Sequence, residues 1–264
     1  MDTIPRESRY SLDTLVTGSG PGLLLAHGAG GGVDANFGPL LPLLAADHTV
    51  VGSDYPGSGD SPVVDRLDLD RLADSLVGEA AEAGLERFTV LGYSLGTAVA
   101  LRVAHRHPGR VRGLVLGAGL ARAATRPRLV TELWDGLLER GDLAGFARLN
   151  LLTALSDRQL AAMSGEEVAG ALREVAATVP PGAVAQARLV RELDVRGELA
   201  GVGVPTLVVA AGRDGLVPPD ASRELAEGIP GAAYTVLDAG HLVLAERPAE
   251  WWEAVSGFLA RHGL

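Results

Sequence analysis

The sequence predicts an α/β protein: a mostly parallel central sheet with helices on both faces, and a helical insertion within it. Three observations carry this prediction. Short apolar runs alternate with amphipathic helical stretches along most of the chain, the arrangement of strand–crossover–strand units whose sheet is buried on both faces. From about Leu120 to Glu198 the strand signal disappears and helical runs remain. Glycine-rich and polar loops follow the strands, at the carboxyl edge where sheets of this kind hold ligands.

Tyr10 to Thr17 alternates roughly and predicts an edge strand entering the turn Gly18-Ser19-Gly20-Pro21-Gly22. Leu23 to Ala26 reads as a buried strand that ends in His27-Gly28-Ala29-Gly30-Gly31-Gly32. That loop lacks the spacing and the lysine of a phosphate-binding loop, and no ribose-binding acid follows. Its other use is to leave a backbone N–H unpaired and aimed at an oxyanion. Asn36 to Ala46 suits a short helix, interrupted near Pro39 and Pro42. Thr49 to Ser53 is the next strand, followed by the turn cluster Asp54-Tyr55-Pro56-Gly57-Ser58-Gly59-Asp60-Ser61. Asp54 could be a catalytic acid or a carboxylate that braces its loop; bracing is favoured, because the loop supplies its own N–H donors. Leu69, Leu72, Ala73, Leu76, Val77 and Ala80 recur at helical spacing and predict a helix from Asp68 to Ala83.

The stretch Phe88 to His107 organises the rest. Phe88 to Leu91 is apolar and β-rich, and Thr97 to Val103 is small, apolar and helical. Between them Gly92-Tyr93-Ser94-Leu95-Gly96 forms G-x-S-x-G at a strand-to-helix junction. So tight a turn strains its central residue and admits only glycine where strand and helix close together. Ser94 is then presented at a helix N-terminus, where negative charge is favoured. The pattern alone is weak in a chain with 35 glycines, since a serine helix cap followed by a packing glycine spells the same letters. The flanking strand and helix argue for the strained turn.

Val111 to Leu116 is another buried strand. Residues 120–199 then form the insertion, a cap over one face of the sheet, with helical runs near Arg128–Glu139, Leu143–Leu152, Glu166–Ala177 and Ala183–Leu193. Residues 1–119 and 200–264 form the core. Within the insertion Trp134, Phe146, Leu151 and Met163 are read as its own packing more than ligand contact, although some must face whatever cavity it covers. Pro205 to Ala211 resumes the sheet and ends in Gly212-Arg213-Asp214-Gly215-Leu216-Val217-Pro218-Pro219. A helix near Ser222–Glu227, a strand Tyr234 to Leu237, the segment Asp238-Ala239-Gly240-His241 and a helix from Pro248 to Ala260 complete the chain.

Composition narrows the chemistry. With 47% hydrophobic and 21% charged residues the chain is globular, and it has no run of ~20 apolar residues to span a bilayer. The N-terminal MDTIPRESRY does not resemble a secretory signal, so a cytoplasmic location is expected. Without cysteine there is no disulfide framework and no thiolate nucleophile. All 23 basic residues are arginine, which excludes lysine-dependent chemistry, and a net charge of −10 argues against nucleic-acid or anionic-membrane partners. No cluster has metal-ligand spacing, so neither a metal nor another cofactor is expected.

Ser94, Asp214 and His241 each follow a predicted strand, in the chain order that accompanies a nucleophile elbow. They are 120 (214 − 94) and 27 (241 − 214) residues apart, yet strand ends on one edge of a parallel sheet lie close in space. Together with HGAGGG, DYPGSGDS, GYSLG, GRDGLVPP and GHLVLAERP in this order, they make the sequence similar to the α/β-hydrolase superfamily over nearly all of the chain outside the insertion.

The resemblance implies a role for each position. Ser94 would be the acyl-accepting nucleophile, His241 its general base and then acid, and Asp214 the group that fixes the imidazole tautomer. The backbone N–H groups of Ala29 and Leu95 would form the oxyanion hole. Some members carry the acid after the preceding strand, but here that position reads Gly117-Ala118-Gly119-Leu120, without a carboxylate. A serine at the elbow argues against dehalogenase or epoxide hydrolase chemistry, which uses aspartate there. The sequence most resembles capped esterases, enol-lactone hydrolases and cofactor-free perhydrolases. These imply hydrolysis of an ester, lactone or thioester of a mostly apolar small molecule. Hydrolysis of C–C bonds, and a ligand-binding or cyclase protein on the same fold, stay open. One departure is Thr97, where many such relatives have a second glycine.

The other histidines have plainer readings. His105 and His107 suit the last turn of the elbow helix, His48 a loop and His262 the terminal tail. His27 reads as structural, and Glu246 and Arg247 as the start of the last helix.

Overall fold

The computed structural model describes residues 4–264. Its centre is a sheet in the order β1-β3-β2-β4-β5-β6-β7, where β1 is Asp13–Gly18, β2 Gly22–Ala26, β3 Thr49–Asp54, β4 Phe88–Tyr93, β5 Val111–Gly117, β6 Thr206–Ala211 and β7 Ala233–Leu237. Edge strand β1 runs antiparallel to β3 and every other pairing is parallel. The loops after β2, β3, β4, β5, β6 and β7 therefore gather at one edge. The resumption of the sheet after residue 200 and the helices between strands are as the sequence predicts.

Alternation along the strands divides the core in two. Leu24, Val90, Leu114, Leu116 and Val208 face one layer, and Leu23, Leu25, Leu91, Val115 and Val209 the other. The first layer is covered by α3 (Leu69–Glu82), α4 (Leu95–Arg106) and α10 (Pro219–Gly228), the second by α1 (Val33–Phe37), α2 (Leu41–Ala45) and α12 (Pro248–His262). Strands β2, β4 and β6 are buried along their whole length. Burying each of their leucines contributes ~1.5–3 kcal/mol relative to exposure. Helix α3 starts where the sequence places it, because the Asp68 carboxylate accepts the Arg71 N–H at 2.8 Å. The predicted Asn36–Ala46 helix begins earlier, at Val33, and is broken into α1, a 3₁₀ turn at Gly38–Leu40 and α2.

Between β5 and β6 lie α5 (Thr125–Glu139), α6 (Leu143–Ala154), α7 (Asp157–Ala162), α8 (Gly165–Thr178) and α9 (Ala183–Glu192). The sequence missed short α7, and also α11 (Val243–Glu246), both too brief for periodicity to show. Trp134, Phe146 and Val190 of the insertion belong to the same apolar cluster as the sheet's first layer. His262 closes α12, against Phe258, and is not part of a tail. No helix among the described residues is long and apolar enough to cross a membrane.

Candidate active site

The strained turn is present. Ser94 has φ 54° and ψ −118°, a conformation that costs a non-glycine residue of order 1–3 kcal/mol. Sterics on either side enforce it. A Cβ on Gly96 would lie 1.9 Å from the Ala26 carbonyl oxygen, and one on Gly92 would lie 2.3 Å from that of Gly96. Ser94 occupies the N-cap position of α4, but its hydroxyl caps nothing. Thr97 fits because Gly119 makes room: a Cβ there would meet the Thr97 side chain at 2.4 Å. Its hydroxyl donates to the Ser94 carbonyl at 2.7 Å and accepts the Leu120 N–H at 3.3 Å, so this departure braces the elbow.

The structure brings the three dispersed residues together. Ser94 Oγ lies 2.9 Å from His241 Nε2, and His241 Nδ1 lies 2.6 Å from Asp214 Oδ2. All three are buried, at 7%, 5% and 8% exposure for Ser94, His241 and Asp214. The second carboxylate oxygen of Asp214 accepts the N–H groups of Leu216 at 2.8 Å and Val217 at 2.7 Å. A carboxylate so held accepts the Nδ1 proton, which leaves the Nε2 lone pair to receive the serine hydroxyl. The loop carrying Asp214 is pinned to the one carrying His241 by the Gly212 and Arg213 N–H groups, which donate to the Leu237 and Ala239 carbonyls. From inside the elbow, the Tyr93 hydroxyl donates to the His241 carbonyl at 2.6 Å.

Loop His27–Gly32 abuts the serine, and a Cβ on Gly28 would come within 3.1 Å of Ser94 Cβ. Among the described residues neither the Ala29 nor the Leu95 N–H meets an acceptor, the condition for an oxyanion donor. His27 is structural, as the sequence suggests. Buried and stacked on Tyr55, it accepts the Tyr55 N–H on Nε2 at 2.8 Å and donates from Nδ1 to the Gly28 carbonyl at 2.8 Å. Burial lowers its pKa to about 4, which keeps it neutral. Asp54 braces too, although its donor is outside its own loop: the Val33 N–H at the start of α1, at 2.7 Å. Burial raises its pKa, against that hydrogen bond.

Ser94 and His241 border a cavity of about 470 Å³ between the strand ends and the insertion. Trp134, Phe146, Leu151 and Met163 all border it, as the sequence expects of some of the insertion's packing residues. Trp134 and Phe146 do both, packing in the core and meeting edge to face at 5.3 Å. The reading of Glu246 is corrected. It ends α11, and its carboxylate accepts the Ser156 N–H at 2.8 Å, the Ser156 hydroxyl at 2.6 Å and the Gly240 N–H at 3.2 Å. It thereby joins the start of α7 to the histidine loop. Tyr93, Asn36, Gln186 and Ser156 are further residues that shape the site without a sequence signal to mark them.

Residues 21–248 match the family described as alpha/beta hydrolase fold. The chain is 35% identical over 247 residues to a pyrrolizixenacetamide deacetylase of Xenorhabdus hominickii, covering 92% of each chain. It is 31% identical to a pimeloyl-[acyl-carrier protein] methyl ester esterase of Chromobacterium violaceum, covering 92% of this chain and 95% of that one. Among solved structures, the enol-lactonase from Burkholderia xenovorans LB400 shares the fold with a TM-score of 0.79 at 24% identity, over 94% of this chain and 96% of that one. The chain belongs to the alpha/beta hydrolase fold family.

Proposed function

We propose that this protein hydrolyses the acyl bond of a small, uncharged, mostly apolar ester, lactone or thioester through an acyl-enzyme on Ser94. The observation that carries the reading is the continuous Asp214–His241–Ser94 relay, at 2.6 and 2.9 Å, opening into the cavity. Ser94 Oγ attacks the acyl carbon while His241 Nε2 takes its proton, and Asp214 stabilises the imidazolium. The Ala29 and Leu95 N–H groups receive the negative charge that develops on the acyl oxygen, a contribution worth roughly 3 kcal/mol per donor. His241 returns the proton to the leaving group, and water repeats the sequence to release the acid.

The lining supports that substrate class. Among the described residues no arginine borders the cavity, and the one carboxylate there is Glu174. A substrate carboxylate would lose its hydration there without a counter-charge, which is costly. Neutral acyl groups fit; anionic ones do not. An amide is the second reading, favoured by the 35% identical relative whose name describes removal of an acetyl group from an acetamide.

The test is intact-mass detection of a fluorophosphonate adduct, together with turnover of p-nitrophenyl acetate and p-nitroacetanilide. Wild type is expected to label once and to turn over ester, and Ser94→Ala to lose the adduct and about 10³-fold or more in kcat. Turnover that survives Ser94→Ala would move the chemistry off this serine. Acetanilide cleavage at a rate near that of the ester would favour the amide reading.

A further inference from the structure

We infer that Gln186 is a positioning residue for the oxyanion loop, holding Gly30 from the insertion so that the Ala29 N–H is left free and fixed in direction. The inference rests on the proposed acyl transfer at Ser94. Two side-chain amides grip the loop on either side of Ala29. Asn36 Oδ1 accepts the Gly28 N–H at 2.7 Å, and Gln186 Oε1 accepts the Gly30 N–H at 2.8 Å. The amide between them meets no acceptor among the described residues. A loop this rich in glycine, with Gly30 at φ +73°, does not hold one conformation by itself.

Gln186 is fully buried on α9 and does not border the cavity, so it acts through the loop and not on the substrate. All of its hydrogen-bonding groups are engaged. Nε2 donates to Ser58 Oγ at 2.9 Å and to the Pro56 carbonyl at 3.4 Å, which fixes which end of the amide faces Gly30. Ser58 in turn donates to the Gly31 carbonyl at 2.5 Å, closing a ring from Gln186 through both loops and back. The base of α9 is anchored on the same turn. The Gly182 N–H donates to the Gly57 carbonyl at 2.9 Å; a Cβ on Gly57 would lie 2.5 Å from the Gly182 backbone, and one on Gly182 would lie 2.3 Å from the Pro56 carbonyl oxygen. Burying an amide is favourable only when every bond is made, and an apolar side chain of equal size would fill the space without that demand. What the amide adds is direction.

The test compares Gln186→Met and Gln186→Glu with wild type, in ester kinetics and in the rate of fluorophosphonate labelling. Gln186→Met keeps the volume and loses every bond. It is expected to lower kcat and the labelling rate about 10- to 100-fold, with KM within about threefold. Gln186→Glu supplies the decisive readout. Protonated, its carbonyl accepts from Gly30 and its hydroxyl donates to Ser58; ionised, it has no donor for Ser58 or Pro56. Its activity relative to wild type should therefore recover as pH falls. The charged and ionisable groups packed around position 186, namely His27, Asp54, Tyr55 and Asp60 on the bridged loops and Arg188, Arg191 and Glu192 on α9, are the same in both proteins, so the profile is read as a ratio. If wild type labels at Ser94 and a folded Gln186→Met matches it in kcat, the inference falls and the serine chemistry stands. A Gln186→Glu ratio that is flat with pH while following thermal stability also overturns it. If wild type neither labels nor turns over, both readings fall together.

Discussion

The cavity has two walls built by opposite means. On one side, every residue of β4 and eight of the twelve residues of α4 are buried, and the serine between them is set by backbone sterics. On the other, the fourteen residues of α8 include none that is fully buried, although Ala171 and Val175 border the same space. Its start is held by a capping box, in which Ser164 and Glu167 satisfy each other's backbone N–H groups. The insertion reaches the core through polar ties at Gln186 and Ser156 and through the apolar cluster around Trp134. The candidate serine is thus held by a strained and closely packed segment, and part of the cavity lining is carried by a helix without a fully buried residue.

The comparison breaks most sharply at Gly96. Gly96→Ala places a methyl 1.9 Å from a backbone oxygen, so strand and helix must separate. A loss of about 3 kcal/mol or more, with abolished fluorophosphonate labelling, is expected in urea unfolding and mass spectrometry. The rigid wall is also sensitive to acid through His27. Its pKa is lowered from 6.5 to about 4, so the unfolded chain binds the proton first. The stabilisation is complete above pH 6.5 and is lost as pH falls toward 4, by about 3 kcal/mol in all. His27→Gln, which keeps an acceptor for Tyr55, should cost stability at pH 7 but flatten that dependence. An unchanged slope would remove His27 as its source.

Smaller effects belong to the other wall. Glu246→Ala leaves the Ser156 and Gly240 N–H groups without their acceptor and should cost about 1–3 kcal/mol. Faster hydrogen exchange around residues 155–165 should accompany it. Smallest is Gly170→Ala within α8, where a Cβ meets only the far end of Arg173, at 3.9 Å. It should raise stability by about 0.5–1 kcal/mol. The same substitution at two glycines, destructive in one wall and helpful in the other, is the sharpest form of the contrast.

This division also decides what could be read in the sequence. The elbow was legible because its constraints are local: two glycines, a β-rich run before and a small-residue helix after. Asp214 and His241 were legible because parallel topology gathers strand ends, and their order could be matched to a family. Which of the insertion's apolar residues would border the cavity was not legible, because a large apolar side chain looks the same whether it fills a core or, like Trp134 and Phe146, does that and borders a cavity too. Gln186 and Glu246 left no signal. Their bonds reach Gly30 and Ser156 across 156 and 90 residues, and no local pattern encodes a side chain meeting a distant backbone N–H. Helices α7 and α11 were too short to show a period at all.

The exposed α8 carries a further consequence, for how such a protein changes over generations. A helix with no fully buried residue can exchange most of its residues at little cost to folding, and drift there is filtered mainly by what the cavity admits. Selection for a ligand of different shape would find its first usable variation between Gly165 and Thr178, while the serine and its neighbours stay as they are.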